Sequence, residues 1–181
     1  MSKVKITKPS KWILAYYTPK FFEWWSKING FGVGGMTLPG VILTRYHDGT
    51  WDKYKNTHPR WYKRTMIWWK GHMQHESIHI YQQLDLLIIG FFIAYGINYA
   101  WNRWGKKMSH IEAYMNIVFE KEAYNSQYVE GYLKNRKPLQ WIQFLNQKNE
   151  YWEATKHGKR DKSTGEYTAA YKSYNLKYGL K

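Results

Sequence analysis

The stretch Gln74-His75-Glu76-Ser77-Ile78-His79-Ile80-Tyr81-Gln82-Gln83 contains an H-E-x-x-H pentad, and the reading of the whole chain turns on it. On a helix, positions four apart lie on one face a turn apart, so His75 and His79 can each offer an imidazole nitrogen to one zinc ion. Glu76 then points beside the metal, placed to take a proton from a bound water. The flanks favour a helix: Met73, Ile78, Tyr81 and Leu84 repeat with helical period, and no Pro or Gly falls between Met73 and Asp85. A chance pentad of this type somewhere in such a chain has a probability of roughly 1%, so the motif is a strong pointer that needs a second one.

A catalytic zinc site takes three protein ligands and leaves the fourth position to water. A carboxylate on a second helix would complete the set. Residues 117–128 supply candidates, with Glu120 three positions before Ala123, on the same helical face, where the small Ala allows close approach of another helix. The two segments are about 40 residues apart, a workable separation for two packed helices. Glu122 is the rival third ligand. It sits about 200° around the helix from Glu120, so the two cannot face one metal together. Glu120 is preferred, with Glu122 the alternative.

These two segments resemble the zincin metallopeptidases of the Glu-ligand type, whose active helix carries H-E-x-x-H and whose later helix carries Glu-x-x-Ala or Glu-x-Glu-Ala. His75 to Gln83 followed by Ala113 to Tyr124 is similar to small uncharacterised zincin-like proteins of bacteria and their phages, over roughly residues 34 to 145. The resemblance implies that His75, His79 and Glu120 hold Zn2+ and that Glu76 acts as the catalytic base. One position departs from the pattern: many relatives carry Asp or Asn one turn after the Glu ligand, where this chain has Tyr124. That position therefore does not supply the carboxylate or amide that orients a ligand histidine in those relatives.

Composition sets outer bounds. A chain of 181 residues suits one domain with a real core plus tails. With no cysteine, disulfides and thiolate metal sites are excluded, and zinc must rely on His and carboxylate. Lys3, Lys5 and Lys8 lead into Trp12 to Tyr17 rather than a clean apolar run, so no signal peptide is read and a cytoplasmic or virion location is expected. A net charge of +15 with eleven Trp and seventeen Tyr suits an anionic partner, although no nucleic-acid module is present to carry that reading.

The chain divides into a basic, aromatic N-terminal segment (1–29), a zincin-like domain (30–145) and a basic, Tyr-rich tail (146–181). The expected fold is α+β, mostly helical, with a small sheet beside the active helix. A short helix is expected from Thr18. Gly32-Val33-Gly34-Gly35 superficially resembles a phosphate loop but lacks its Lys-Ser/Thr ending and is read as a turn. Val41 to Arg45 reads as a strand, and by the resemblance it is the candidate ledge on which an extended peptide pairs. His47 and His58 fall in a polar loop and are read as solvated. Leu86 to Trp101 is the most apolar stretch, yet at 16 residues it falls short of the ~20 needed to cross a bilayer. A buried helix or hairpin is preferred there, with membrane contact the less favoured reading because Trp101, Arg103, Trp104, Lys106 and Lys107 form an interfacial-looking flank. Ser109 with Glu112 forms a capping box opening a helix expected to run to about Tyr132.

Two functions follow as expectations. The first is a zinc metallopeptidase acting on a protein or peptide substrate, with Tyr124 a candidate to steady the oxyanion. The second is a structural or assembly component, for example of a phage virion, that uses a zincin scaffold within a larger protein assembly.

Overall fold

Three short β-rich runs pair into one small sheet. In the computed structural model, which describes residues 6, 12–29, 34–159, 166 and 168–178, β1 (Leu14–Tyr17), β2 (Gly35–Leu38) and β3 (Val41–Thr44) lie in the order β1-β3-β2. β1 runs parallel to β3 with Leu14 opposite Val41, and β2 runs antiparallel to it with Gly35 opposite Thr44. Pro39 and Gly40 turn β2 into β3. Gly40 has φ 71°, the left-handed value that the third position of a Pro-Gly turn requires and that a side chain would disfavour. Residues 30–33 of the glycine stretch lie outside the described residues, while Gly35 opens β2 rather than a turn. Val41–Thr44 is indeed a strand, but both of its edges are occupied, so it cannot be the ledge for an added peptide strand. The sequence of one strand does not say which neighbours it will acquire.

The helices are α1 (Pro19–Asn29), α2 (Pro59–Asp85), α3 (Ile89–Ala100), α4 (His110–Met115), α5 (Val118–Ser126), α6 (Tyr132–Asn135), α7 (Glu150–Thr155) and α8 (Ala169–Lys177). The fold is therefore α+β and mostly helical, with a small mixed sheet. Residues group into two compact units, Met1–Ile80 and Tyr81–Lys181.

In the first unit the sheet and α2 share a core. Ile13, Ile42, Trp69, Met73 and Ile80 are all at most 2% exposed. Trp69 and Met73 are four apart on α2, and Ile80 follows two turns on, which is the apolar stripe that the sheet covers. Trp69 also places its indole N–H on Asp48 Oδ1 at 2.9 Å, tying α2 to the 3₁₀ turn Asp48–Tyr54. α2 starts with Pro59 at its first position, where no amide hydrogen is needed, and at 27 residues it extends about 40 Å.

The second unit packs around Phe91, Ile117, Val118, Phe119 and Phe144. Between α2 and α3 the chain reverses through Leu87 and Ile88 at φ 52° and 63°, with the Ile88 amide on Gln83 O at 2.6 Å. Closing a helix this way is common with glycine; with Leu and a β-branched Ile it costs about 1–3 kcal/mol per residue. α3 continues into a single π turn, Trp101–Gly105. The helix expected from Ser109 to about Tyr132 is interrupted: Ser109 does cap α4, accepting from the Glu112 amide, but Ile117 is extended (ψ 132°) and α5 begins afresh. Asn98 of α3 explains the break by accepting from the Val118 amide at 2.8 Å, an N-cap supplied from another helix and worth about 1 kcal/mol.

The stretch 86–101 is not buried as composition suggested. One side faces the core through Phe91 and Tyr95, while Ile89, Phe92, Ile93, Ile97 and Trp101 stand exposed. No single helix among the described residues is long and apolar enough to cross a membrane. The C-terminal stretch carries α7 and α8, whose Tyr174 is buried among Tyr128, Tyr151 and Tyr178. Asn149 caps α7 through its oxygen and donates its amide to Met115 O at 2.9 Å. Tyr167 and residues 160–165 lie outside the described residues.

Candidate metal centre

His75, Glu76 and His79 are at most 7% exposed, on a face of α2 where solvent would otherwise be the usual partner of such groups. The two imidazoles meet edge to face with Nε2 to Nε2 at 3.2 Å. Glu120, 2% exposed on α5, brings a carboxylate oxygen to the same place: the three ligand atoms all lie within 4.8 Å of one another. Two nitrogens each bonded at 2.0–2.1 Å to one tetrahedral ion would stand about 3.3 Å apart, which matches the His75–His79 spacing. Two buried imidazoles and a carboxylate form a donor set suited to a divalent transition metal, and the residues present fit one.

Gln82, one turn beyond His79, donates to Phe119 O at 3.0 Å and to Glu122 Oε2 at 2.8 Å, so the end of α2 is stitched to α5. Glu122 is fully engaged elsewhere. Its Oε1 accepts from Arg136 Nε at 2.6 Å and from the Tyr132 hydroxyl at 2.9 Å, and Arg136 also holds Asp85 at 2.7 Å. Burial opposes the Arg136 charge, but its bonds to Glu122 and Asp85 outweigh that and hold its pKa above the ordinary value. Glu120 instead accepts from the Tyr95 hydroxyl at 2.9 Å through Oε1. Glu120 and Glu122 thus have separate roles set by opposite sides of α5.

Around Glu76 the first unit builds a tight seat. Thr37 on β2 donates its hydroxyl toward Glu76 Oε2 (2.6 Å) and the Glu76 carbonyl (3.0 Å). His72 places Nδ1 3.9 Å from Glu76 Oε1 and lies flat on Trp68, with rings 5.5 Å apart and 4° from parallel. Its side chain is 14% exposed. Burial lowers its pKa, opposed by the Glu76 charge, so the ring favours its neutral form. Gly35 makes this packing possible: a Cβ there would sit 2.7 Å from His72 Nε2 and 3.0 Å from Glu76 Oε1. Because the His72 ring is pinned by Trp68, it has little room to yield. Gly35→Ala is expected to cost about 1–3 kcal/mol, read as a lower urea midpoint with unchanged slope.

The loop histidines do not join this group. His47 caps the 3₁₀ turn, accepting from the Gly49 amide, and His58 bonds Thr57. Tyr124 stacks on Tyr151 at 5.1 Å, and the phenol whose hydroxyl reaches the Glu120 carboxylate is Tyr95. Thr37, Tyr95 and Arg136 escape a reading of the sequence because each reaches its partner across a separation of fourteen residues or more with no motif to mark it. No family model, curated protein or solved structure matches the chain.

Proposed function

We propose that this chain is a zinc-dependent, metallopeptidase-like hydrolase of the zincin type, with His75, His79 and Glu120 as ligands and Glu76 as base. The observation that carries the reading is the convergence of three buried ligand atoms within 4.8 Å, with Glu76, next in sequence to His75, seated separately by Thr37. Bound there, zinc would supply a Lewis acid and a water of lowered pKa. Glu76, oriented from β2 by Thr37, is the carboxylate that would accept a proton during hydrolysis and hand it to the leaving amine. Tyr95 fixes the Glu120 carboxylate, and His72, neutral and pinned on Trp68, keeps Glu76 from turning away. β2, paired on one side only among the described residues and carrying Thr37, takes over the role of ledge for an extended peptide.

Metal analysis tests the reading. The purified protein is expected to carry about one zinc per chain, and His79→Ala and Glu120→Ala to lose it on dialysis. Hydrolysis of a mixed peptide library should stop with chelator and return with zinc. Metal content indifferent to His79→Ala would overturn the site; a zinc-loaded protein that cleaves nothing would leave a metal-stapled scaffold, the assembly reading, in place of the enzyme.

A further inference from the structure

α3 and the π turn are two-faced. Phe91 and Tyr95 pack into the core of the second unit, and the polar groups on that side are committed: Tyr95 to Glu120, Asn98 to the Val118 amide, and Asn102 to Ala113 O at 3.1 Å. The opposite side holds Ile89, Phe92, Ile93, Ile97, Trp101 and Trp104, spaced at three, four and seven residues and so in one stripe, with Ile97 65% and Trp104 69% exposed. A Cβ built on Gly96, within the stripe, meets nothing within 4 Å. At the N-terminal end the left-handed turn holds up Leu87, 85% exposed. An apolar corner kept in open solvent by a disfavoured backbone is unfavourable twice over unless something covers it.

The charge around the stripe indicates what does. From Leu86 to Ile111 the chain carries no Asp or Glu, and its cations cluster at the Trp-bearing end: Arg103 between the two Trp, with one guanidinium nitrogen on Met108 O at 2.9 Å, and Lys106 and Lys107, both exposed, just past them. A covering protein surface would need its own acidic rim, whereas an anionic membrane offers apolar depth and negative charge together. The helix and π turn, Ile89–Gly105, extend about 26 Å and have one side bonded to protein, so they suit the plane of the interface rather than a crossing.

We propose that the exposed stripe of α3 and its π turn beds in the plane of an anionic lipid bilayer, with Leu87 and Trp104 at its two ends and Lys106 and Lys107 on the headgroups. This does not depend on the peptidase reading. The test is co-sedimentation of the full chain with vesicles of phosphatidylcholine alone and with equal parts phosphatidylglycerol. Binding is expected only with the mixed vesicles. Phe92→Ser/Ile97→Ser, both exposed, should weaken it at least about tenfold, and Lys106→Glu/Lys107→Glu by a similar factor, with thermal unfolding of both variants unchanged. Binding that ignores Phe92→Ser/Ile97→Ser but vanishes with salt would be adsorption of a +15 chain and would overturn the proposal. So would wild-type protein that stays in the supernatant, or a dimer in sedimentation velocity that the same variant converts to monomer without any vesicle uptake, which would assign the stripe to a second copy.

Discussion

Glu76→Gln is expected to slow peptide hydrolysis by about 10²–10⁴-fold, with zinc content at the wild-type level. The amide has nearly the volume of the carboxylate, so the seat made by Thr37, His72 and Gly35 stays filled and the His75/His79/Glu120 group is untouched. What the substitution removes is the proton acceptor. Because the carboxylate is held from β2 and not from the ligand set, activity and metal binding should separate cleanly: His79→Ala loses both, Glu76→Gln only the first. A Glu76→Gln protein that turns over peptides at the wild-type rate would remove Glu76 from the mechanism.

Arg136→Met is expected to destabilise the protein by about 3–5 kcal/mol, visible as a drop of about 10 °C or more in Tm. Arg136, Glu122 and Asp85 have side chains 1%, 0% and 7% exposed, so removing the cation leaves two buried carboxylates with only neutral donors from Gln82 and Tyr132 on one of them. The pair of anions is the source of the cost, and Arg136→Met combined with Glu122→Gln and Asp85→Asn should recover a large part of it. If the single variant melts with the wild type, the triad carries no structural weight.

The parts of this structure readable from sequence are those governed by local period. The H-E-x-x-H face, the Val41–Thr44 strand and the Ser109 cap each declare themselves within a turn or a few residues. Glu120 and Glu122 do not, since both are plausible on spacing and the distinction is made by Arg136, fourteen residues further on. Likewise nothing in Asn116-Ile117 announces a break; it comes from Asn98 reaching over from α3. The run from Leu86 to Trp101 shows the limit most plainly. Hydropathy measures how apolar a helix is, and says nothing of whether each side meets protein or solvent.

One consequence concerns α5, whose nine residues are gripped from both sides, Glu120 by Tyr95 and Glu122 by Gln82, Tyr132 and Arg136. The helix behaves as a keyed shaft that seats at a single angle. Inserting or deleting one residue between Ile117 and Glu120 would turn it by about 100°, throwing both carboxylates off their stops in one stroke. Length variation in this short segment is therefore closed to evolution by rotation alone, however well the new residue suits a helix.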